Sequence, residues 1–423
     1  MERFTPVCQT CSRTFAADVF NAVCPCGGMV DLQYRLDGVE LVDDPNPLVR
    51  FFDLLPIHRR EALCWLGEGN TPTVHATALG KALGLDRVYL KDETKNPTFS
   101  TKDRMASVVL SHFQEVGVSE FCCSSTGNSS TSFAHGVERS PAFRLHVFVG
   151  RDFLTRMNFD SSDRIKVYWI NDATFAEAHE CAKVFARRNP EVTAERGFFN
   201  PGRREGLKLA FMEGVLDMPE SPHWYFQAAS SGMGVYGTWR GAQQLYRLGR
   251  LGRLPRLACV QQETCAPMVR SWKAGALQTR PQDIVPEPWG IAEAILRGDP
   301  THTYPHLRNV VYQSGGTFES VSEPQIVEAQ RMLLELEGIE ACASAATTVA
   351  AIKKMKAAGE LRRDDVLFVN ITGGIRPETV TPREYTTHSK REFLADAGPR
   401  PPLRPEPVIP VAPLGERPVG RVH

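Results

Sequence analysis

Residues 96–104 read NPTFSTKDR, and they come after a short strand-like run. Pro97 disfavours helical conformation in the residue before it, which places a break between the strand and the next element. Ser100 and Asp103 match a helix N-cap and its capping-box partner, so Lys102 is predicted in the first turn of a helix. The electropositive end of a helix lowers a lysine pKa, which suits an amine that must attack an aldehyde. Taken alone, a solvated first turn of charged residues is the simpler interpretation.

Length and composition indicate a globular protein of two or three domains. The chain has 423 residues, of which 42% are hydrophobic and 23% charged. Lys plus Arg and Asp plus Glu both number 49, which gives no reason to expect nucleic acid or a membrane as a main partner. No membrane-length apolar run is present, and residues 1–6 lack an apolar signal core. We therefore expect a cytoplasmic protein whose cysteines are thiols or metal ligands.

The first 44 residues differ from the rest of the chain. Cys8 and Cys11 form a CxxC motif, and Cys24 and Cys26 form a CxC motif after a hairpin-length interval. Four thiolates on two turns predict a zinc-ribbon-like segment with a structural site, because four protein ligands leave no open coordination position. The second motif is one residue shorter than the usual knuckle, so a cysteine-bearing hairpin without metal is the alternative.

Three strand-like segments are each followed by a loop of small or hydroxyl-bearing residues. The loops are residues 124–130 (SSTGNSS), residues 230–237 (SSGMGVYG) and residues 372–374 (TGG). The first two precede predicted helices, whose N-terminal N–H groups bind carboxylate or phosphate. Thr372 follows the carboxyl end of a predicted strand, and open α/β sheets bind their ligands at that end. Taken alone, each loop is explained equally well as a capped or tightly packed turn without a ligand.

Strands and helices alternate along most of the chain, which predicts an α/β fold with a parallel sheet covered by helices on both faces. Further predicted strands are residues 88–91, 145–149, 165–170 and 257–261, and further predicted helices are residues 174–188, 204–216, 289–297 and 324–336.

The order of these motifs resembles that of the fold type II pyridoxal-phosphate enzymes, and most closely the threonine synthases. The resemblance covers about residues 66–375, and the N-terminal CxxC segment is similar to that of some archaeal-type threonine and cysteate synthases. The matching segments are residues 68–72 (EGNTP), 91–93 (KDE), 96–98 (NPT) with Ser100, 102–104 (KDR), 125–128 (STGN) and 372–373 (TG).

The resemblance implies an architecture and a cofactor. The architecture is two open, twisted, mostly parallel sheets flanked by helices, as in the β subunit of tryptophan synthase. It assigns residues 1–44 to the zinc-ribbon-like segment and residues 45–390 to a catalytic region of two α/β subdomains, the smaller at about residues 103–185. Residues 391–423 would be an extended or disordered tail rich in proline and arginine. The cofactor is pyridoxal 5′-phosphate, and we expect a homodimer.

The same resemblance implies a role for each site residue. Lys102 would hold the cofactor as an imine and then move protons, and Asn128 would bind the phenolic oxygen O3′. Thr372 would face the pyridine nitrogen, and a neutral hydroxyl there favours elimination and replacement over transamination. The 5′-phosphate would bind Ser230, Ser231, Gly232, Met233 and Gly234, and the amino-acid substrate would bind Ser100, Ser125, Thr126 and Ser129.

The implied reaction is elimination or replacement of an activated side-chain group, with phosphate of O-phosphohomoserine as the expected leaving group. Phe99 and Thr101 depart from the family's pattern beside the lysine, as do Ser230 and Met233 in the phosphate loop. A β-replacement of O-phosphoserine by a nucleophile other than water, as in cysteate or cysteine synthases, is therefore the alternative. The candidate contacts for the substrate phosphate are Arg104, Arg151, Arg203 and Arg204.

Two other classes of function compete with this hypothesis. A nicotinamide-dependent dehydrogenase would use Gly232, Gly234 and Gly237 with Glu263, but it leaves the Lys102 and Asn128 segments unexplained. The other class is a protein without catalytic activity, either a remnant of the pyridoxal-phosphate fold or a zinc-ribbon binding module. The intact Lys102 and Asn128 argue against a remnant.

Overall fold

The computed structural model describes residues 3–395, so the predicted tail lies outside the described residues beyond position 395. The strands are β1 (Phe4–Cys8), β2 (Val30–Tyr34), β3 (Thr73–His75), β4 (Arg87–Asp92), β5 (Glu120–Ser124), β6 (Arg144–Gly150), β7 (Ile165–Ile170), β8 (Thr193–Ala194), β9 (Trp224–Ala228), β10 (Arg256–Gln262), β11 (Thr317–Val321), β12 (Val366–Ile371) and β13 (Thr386–His388). The helices are α1 (Pro47–Arg50), α2 (Thr77–Leu83), α3 (Lys102–Glu115), α4 (Asn128–Arg139), α5 (Phe175–Arg188), α6 (Pro201–Asp217), α7 (Met233–Arg247), α8 (Pro267–Lys273), α9 (Tyr304–Gln313), α10 (Glu323–Glu337), α11 (Ala343–Ala357) and α12 (Arg391–Leu394).

Two parallel-rich sheets carry the fold, which confirms the predicted class. The larger sheet has six strands in the order β11-β10-β9-β12-β4-β3, and only β3 runs antiparallel to its neighbour. The smaller sheet has five strands in the order β13-β7-β6-β5-β8, all parallel. The central strands β9 and β12 are buried along their whole length, as expected for parallel strands covered by helices on both faces.

Separate apolar cores pack against the two sheets. Helices α6 and α7 pack on one face of the larger sheet, while α11 packs on the other. Helices α3 and α4 cover one face of the smaller sheet and α5 the other. Met233, at the start of α7, packs against the core of each sheet. In open α/β sheets, ligands bind beside the loops that follow the carboxyl ends of the parallel strands.

The N-terminal hairpin of β1 and β2 docks on the catalytic region through a buried carboxylate. Asp31 in β2 accepts a hydrogen bond of 2.8 Å from the Tyr236 hydroxyl and pairs with Arg204 and Arg240. The arginine charges lower the pKa of Asp31 against the opposing effect of burial. Arg204 also donates to the backbone carbonyl of Val30 at 2.6 Å. These contacts attach the hairpin to α6 and α7. The region boundaries at residues 44 and 390 stay predictions.

Two local predictions differ from the structure. Residues 289–297 form only a single 3-10 turn, Glu293–Ile295, because side chains take the backbone N–H groups that a helix would use. The amide of Ala292 donates to Gln262 Oε1 at 2.8 Å, and Gly290 has a φ of +138°. The second difference is at α3, where Asp103 accepts from the Thr98 amide and hydroxyl, each at 2.7 Å, instead of closing a capping box on Ser100.

Within residues 3–395, no helix combines the length and the apolar character that crossing a bilayer requires.

Candidate active site

Lys102 is the first residue of α3, and its amine is left without a partner. Among residues 3–395 no hydrogen bond or ion pair involves its Nζ atom. Lys102 is only half-buried, so the amine can be reached. Burial in the protein, followed by the nearby positive charge of Arg203, lowers its pKa to about 8. A reachable lysine with a lowered pKa and no partner has the properties of a nucleophile for an aldehyde.

The turn that precedes Lys102 is hydrogen-bonded to the loop after β12. The Thr101 amide donates to the carbonyl of Thr372 at 2.9 Å, and the Gly374 amide donates to the carbonyl of Phe99 at 2.9 Å. Phe99 has a φ of +62°, a conformation that costs energy for a bulky residue and is found mainly at functional sites. These bonds hold Thr372 beside the lysine turn, with its half-buried hydroxyl at the end of a central strand.

The loop between β5 and α4 brings the Ser-Thr-Gly-Asn segment close to the loop before Lys102, since Ser132 Oγ lies 3.1 Å from Thr98 Oγ1. Gly127 has a φ of +132°, and a Cβ there would lie 2.8 Å from the carbonyl oxygen of Arg156. Ser125 Oγ accepts from the amides of Gly127 and Ser130, at 3.0 and 3.2 Å, so this hydroxyl shapes the loop itself. Thr126 is half-buried at the tip of the loop, and Asn128 is the first residue of α4.

The loop between β9 and α7 provides an anion cradle at the start of a 15-residue helix. Ser231 Oγ is buried and has no hydrogen-bond partner within the described residues. Gly232 has a φ of +80°, and a Cβ at Gly234 would lie 2.2 Å from Gln227 Nε2. An unsatisfied buried hydroxyl next to the N–H groups of a helix N-terminus fits a phosphate, which supplies several acceptor oxygens.

Taken together, these groups fit pyridoxal phosphate. An unpartnered amine can bind its aldehyde carbon, a hydroxyl-lined glycine loop can hold its phosphate, and an amide and a threonine hydroxyl can meet the polar atoms of its ring. The predicted substrate residue Ser100 is buried, and its Oγ accepts from the Lys102 amide at 3.2 Å. The roles of these residues are inferred from this arrangement and stay proposals.

One of the four candidate phosphate arginines contacts a predicted substrate residue. Arg203 donates to Ser129 Oγ at 3.1 Å and is paired with Glu195. Arg204 instead attaches the N-terminal hairpin through Asp31 and Val30. Arg151 lies on the surface, where it pairs with two exposed carboxylates. Sequence alone did not separate these roles, because they depend on burial and on partners such as Asp31 and Glu287 that lie far away in the chain.

Arg104, the fourth of these arginines, belongs to a buried ion-pair network beneath the lysine. Its guanidinium contacts Glu93 at 2.7 Å and Glu213 at 2.9 Å, and it donates to Thr71 Oγ1 at 3.0 Å. Lys91 Nζ approaches Glu213 at 2.6 Å. The positive charges lower the pKa of Glu93 and of Glu213 against the opposing effect of burial. The network therefore joins the sequence motifs at residues 68–72, 91–93 and 102–104 at the start of α3.

Two residues of the site were missed in the sequence. Cys342 is the N-cap residue of α11 and is half-buried, and burial raises the pKa of its thiol while the nearby charges of Arg376 and Lys102 oppose that rise. Arg376 follows the Thr-Gly-Gly segment, and its Nη2 atom donates to Asn128 Oδ1 at 2.7 Å. In the sequence, Arg376 is marked only by its position shortly after Thr372, and Cys342 is marked by no motif, so neither side chain is distinguished from ordinary loop residues.

The four N-terminal cysteines converge at the tip of the hairpin. Their Sγ atoms all lie within 4.8 Å of one another, with Cys8 to Cys26 at 3.5 Å and Cys11 to Cys24 at 3.6 Å. A tetrahedral zinc ion with Zn–S bonds of ~2.3 Å separates its sulfurs by about 3.8 Å, so the cluster fits zinc. A Cβ at Gly28 would lie 2.8 Å from Cys8 Sγ, which explains the glycine after the short CxC motif.

The lowered pKa of Lys102 predicts a pH dependence. At pH 7 a lysine of pKa about 8 has roughly 300 times more free amine than one of pKa about 10.5. We expect trace labelling of cofactor-free protein by an amine-selective reagent to rise through pH 8 at Lys102 and to level off above pH 9. Peptide mass spectrometry measures the labelling, with Lys102→Ala protein as the control. A labelling midpoint near pH 10 would contradict the lowered pKa.

Comparison with known protein families agrees with this geometry. Residues 64–373 match the family model described as pyridoxal-phosphate dependent enzyme. The threonine synthase of Methanocaldococcus jannaschii is 29% identical over 381 residues, which cover 86% of this chain and 91% of that protein. The cysteate synthase of Methanosarcina mazei is 27% identical over 392 residues, which cover 88% of this chain and 92% of that protein.

Solved structures share the same fold at lower identity. Maize serine racemase superposes with a TM-score of 0.61 and 17% identity, over 75% of this chain and 93% of that one. A processed threonine deaminase from Solanum lycopersicum superposes with a TM-score of 0.59 and 15% identity, over 85% of this chain and 96% of that one. At this identity the likeness concerns the fold alone.

Proposed function

Because the chain belongs to the pyridoxal-phosphate dependent enzyme family, we propose that it is a threonine synthase-like lyase that acts on a phosphorylated amino acid. The substrate proposed first is O-phosphohomoserine, from which phosphate leaves and to which water adds. The observation that supports this proposal most is the Lys102 amine, which has no partner within the described residues and follows a turn that is hydrogen-bonded to the Thr372 loop.

In this proposal each part of the cleft has one task. Lys102 would hold the cofactor covalently and, once released by the substrate amine, would accept and return the proton at Cα. Residues 230–234 would hold the phosphate of the cofactor, and Asn128 its phenolic oxygen. The bound cofactor supplies an electron sink that acidifies the Cα proton. Thr372 would meet the pyridine nitrogen with a neutral hydroxyl, which favours elimination and replacement.

The substrate carboxylate would bind beside the start of α4. Ser100, Ser125, Thr126 and Ser129 are the proposed contacts, and Arg203 adds a positive charge next to Ser129. The charge of Arg203 also disfavours a protonated Lys102, which keeps part of the amine free near neutral pH. The same arginine would thus assist carboxylate binding and proton transfer.

A second candidate reaction is β-replacement of O-phosphoserine by a nucleophile other than water. The observation that favours it is Phe99, whose side chain is 36% exposed and whose φ is +62° on the loop before the lysine. A bulky side chain there reduces the room for a longer substrate. The two reactions differ in the position of the leaving group and in the nucleophile.

Product analysis tests the function. The purified enzyme is incubated with O-phosphohomoserine and, separately, with O-phosphoserine with and without sulfide or sulfite, and products are identified by mass spectrometry alongside free phosphate. Threonine from the first substrate supports the main proposal, and a sulfur-containing product from the second supports the alternative. Lys102→Ala protein is the control. A yellow enzyme that releases phosphate from neither substrate would refute both reactions.

We also propose that the Cys8, Cys11, Cys24 and Cys26 cluster binds one structural zinc ion. The convergence of four Sγ atoms supports this, because four thiolates complete a tetrahedral shell and leave no position for a substrate. None of the eleven cysteines, all of which lie within residues 3–395, forms a disulfide, and this supports a reducing, cytoplasmic location. A homodimer is proposed as well, in line with the family resemblance.

Removal of zinc is expected to affect stability more than turnover. Cys24→Ser should lower the melting temperature by several degrees. A loss of ~1 kcal/mol in the free energy of unfolding shifts the melting temperature of a domain of 150–250 residues by about 2–4 °C. Turnover at saturating substrate should stay near the wild-type value. Thermal unfolding, activity and metal analysis are measured, with Cys64→Ser outside the cluster as the matched control. Metal analysis that finds no zinc in the wild-type protein would remove the zinc proposal.

A further inference from the structure

We propose that Arg376 is a positioning residue that fixes the orientation of the Asn128 amide and so presents its N–H group to the phenolic oxygen of the cofactor. This inference rests on the proposed function in one respect, since it takes Asn128 as the cofactor contact.

The geometry begins with the place of Arg376 in the fold. It lies four residues beyond Thr372 in the loop after β12 and is half-buried. Its Nη2 atom donates to Asn128 Oδ1 at 2.7 Å, and its Nε atom donates to the carbonyl of Thr98 at 3.2 Å. One guanidinium therefore links the loop that carries Thr372, the loop before Lys102 and the start of α4.

The hydrogen-bonding capacity of the two groups then determines the orientation of the amide. A guanidinium has only donors, so the atom of Asn128 that faces it at 2.7 Å must be the oxygen. The Nδ2 atom consequently points away from Arg376. Within residues 3–395 no acceptor is hydrogen-bonded to Nδ2, although Asn128 is half-buried. The amide thus offers an oriented donor to a ligand that carries an acceptor.

The charge of Arg376 favours an anionic acceptor at that position. In the part of the chain that the structure describes, no carboxylate lies within ion-pair distance of Arg376, whereas Arg203 and Arg104 are both paired. Asp103 and Cys342 are the nearby ionisable groups; Asp103 already accepts two hydrogen bonds from Thr98, and the pKa of the buried Cys342 thiol is raised, which favours its neutral form. A positive charge behind the amide stabilises a phenolate on its other side.

Titration of cofactor-free protein with pyridoxal phosphate tests the inference without measuring turnover. The dissociation constant is obtained from cofactor fluorescence, and the ratio of visible to near-ultraviolet absorbance reports the ionised phenolic oxygen. Arg376→Met is expected to weaken binding about tenfold and to lower this ratio. Asn128→Ala should do the same, and adding Arg376→Met to it should cause little further change, because the arginine acts through the amide.

Other outcomes would overturn the inference. If Arg376→Met leaves affinity and band ratio unchanged and only raises the KM for the phosphorylated substrate, the arginine binds substrate instead. If Arg376→Met weakens cofactor binding by the same factor in the wild-type protein and in the Asn128→Ala variant, the arginine does not act through Asn128. Should Arg376→Met fail to fold, Asn128→Asp keeps the acceptor but removes the N–H donor, and cofactor binding as tight as in the wild type would refute the inference. A wrong substrate in the proposed function leaves these titrations unaffected.

Discussion

Lys102→Ala is expected to abolish the visible absorbance of the purified protein and to lower turnover by about 10³-fold or more, with the fold retained. Loss of a positioned acid–base group alone costs about 10²–10⁴-fold, and loss of the covalent attachment adds to it. The fold should persist because the Nζ atom makes no hydrogen bond or ion pair within residues 3–395. Absorption spectra, circular dichroism and phosphate release measure the three effects.

Lys95→Ala is the matched control for this experiment. Lys95 precedes Lys102 by seven residues, its side chain is 59% exposed, and its contact with Asp92 is 3.8 Å long. This variant should keep both colour and turnover. Borohydride reduction and then peptide mass spectrometry identify the modified lysine. If Lys102→Ala protein still carries a reduced pyridoxyl group, another lysine holds the cofactor and the proposed site is wrong.

Arg104→Met is expected to lower the free energy of unfolding by about 3–5 kcal/mol, because it removes one partner of a buried ion-pair network. The substitution leaves Glu93 and Glu213 buried with Lys91 as the remaining nearby cation. Urea unfolding at pH 7 measures the change. Arg151→Met is the control, because Arg151 makes only surface ion pairs and should change stability by about 0–1 kcal/mol.

The same network predicts how the effect of Arg104→Met depends on pH. The pKa values of Glu93 and Glu213 are lowered in the folded protein, so their contribution is present above the unfolded pKa of about 4.3 and is lost as the pH falls. The difference in stability between wild type and variant should therefore narrow in acid. A difference below about 1 kcal/mol at pH 7 would show that the network contributes far less than its burial implies.

The different roles of four arginines illustrate what the sequence could not provide. These residues were equivalent candidates in the sequence. In the structure, Arg104 anchors the start of α3 and Arg204 attaches the N-terminal hairpin. Arg151 forms ion pairs on the surface, and Arg203 contacts Ser129. Glu213, which pairs with Arg104, lies 109 residues away along the chain. Burial and pairing of a charged group depend on such distant partners, and no local pattern encodes them.

The sequence by itself determined the elements of the fold and the class of chemistry. Alternating apolar strands and amphipathic helices are local patterns, so they predicted a parallel sheet, a helix with Lys102 in its first turn and the loops after β5, β9 and β12. The two-sheet architecture and the chemistry came from the resemblance of the ordered motifs to a known family. The spacing of the cysteines likewise predicted a cluster of four thiols. These features were readable because each depends on residues that are close together in the chain.

Only the tertiary structure decided which side chains meet in the cleft. It placed Arg376 against Asn128, 248 residues apart, and left the amine of Lys102 without a partner within the described chain. It also replaced a predicted helix at residues 289–297 by a turn held by Gln262. The physical reason is that hydrogen bonds between distant loops outweigh local helical propensity, which amounts to only about 0–1 kcal/mol per residue.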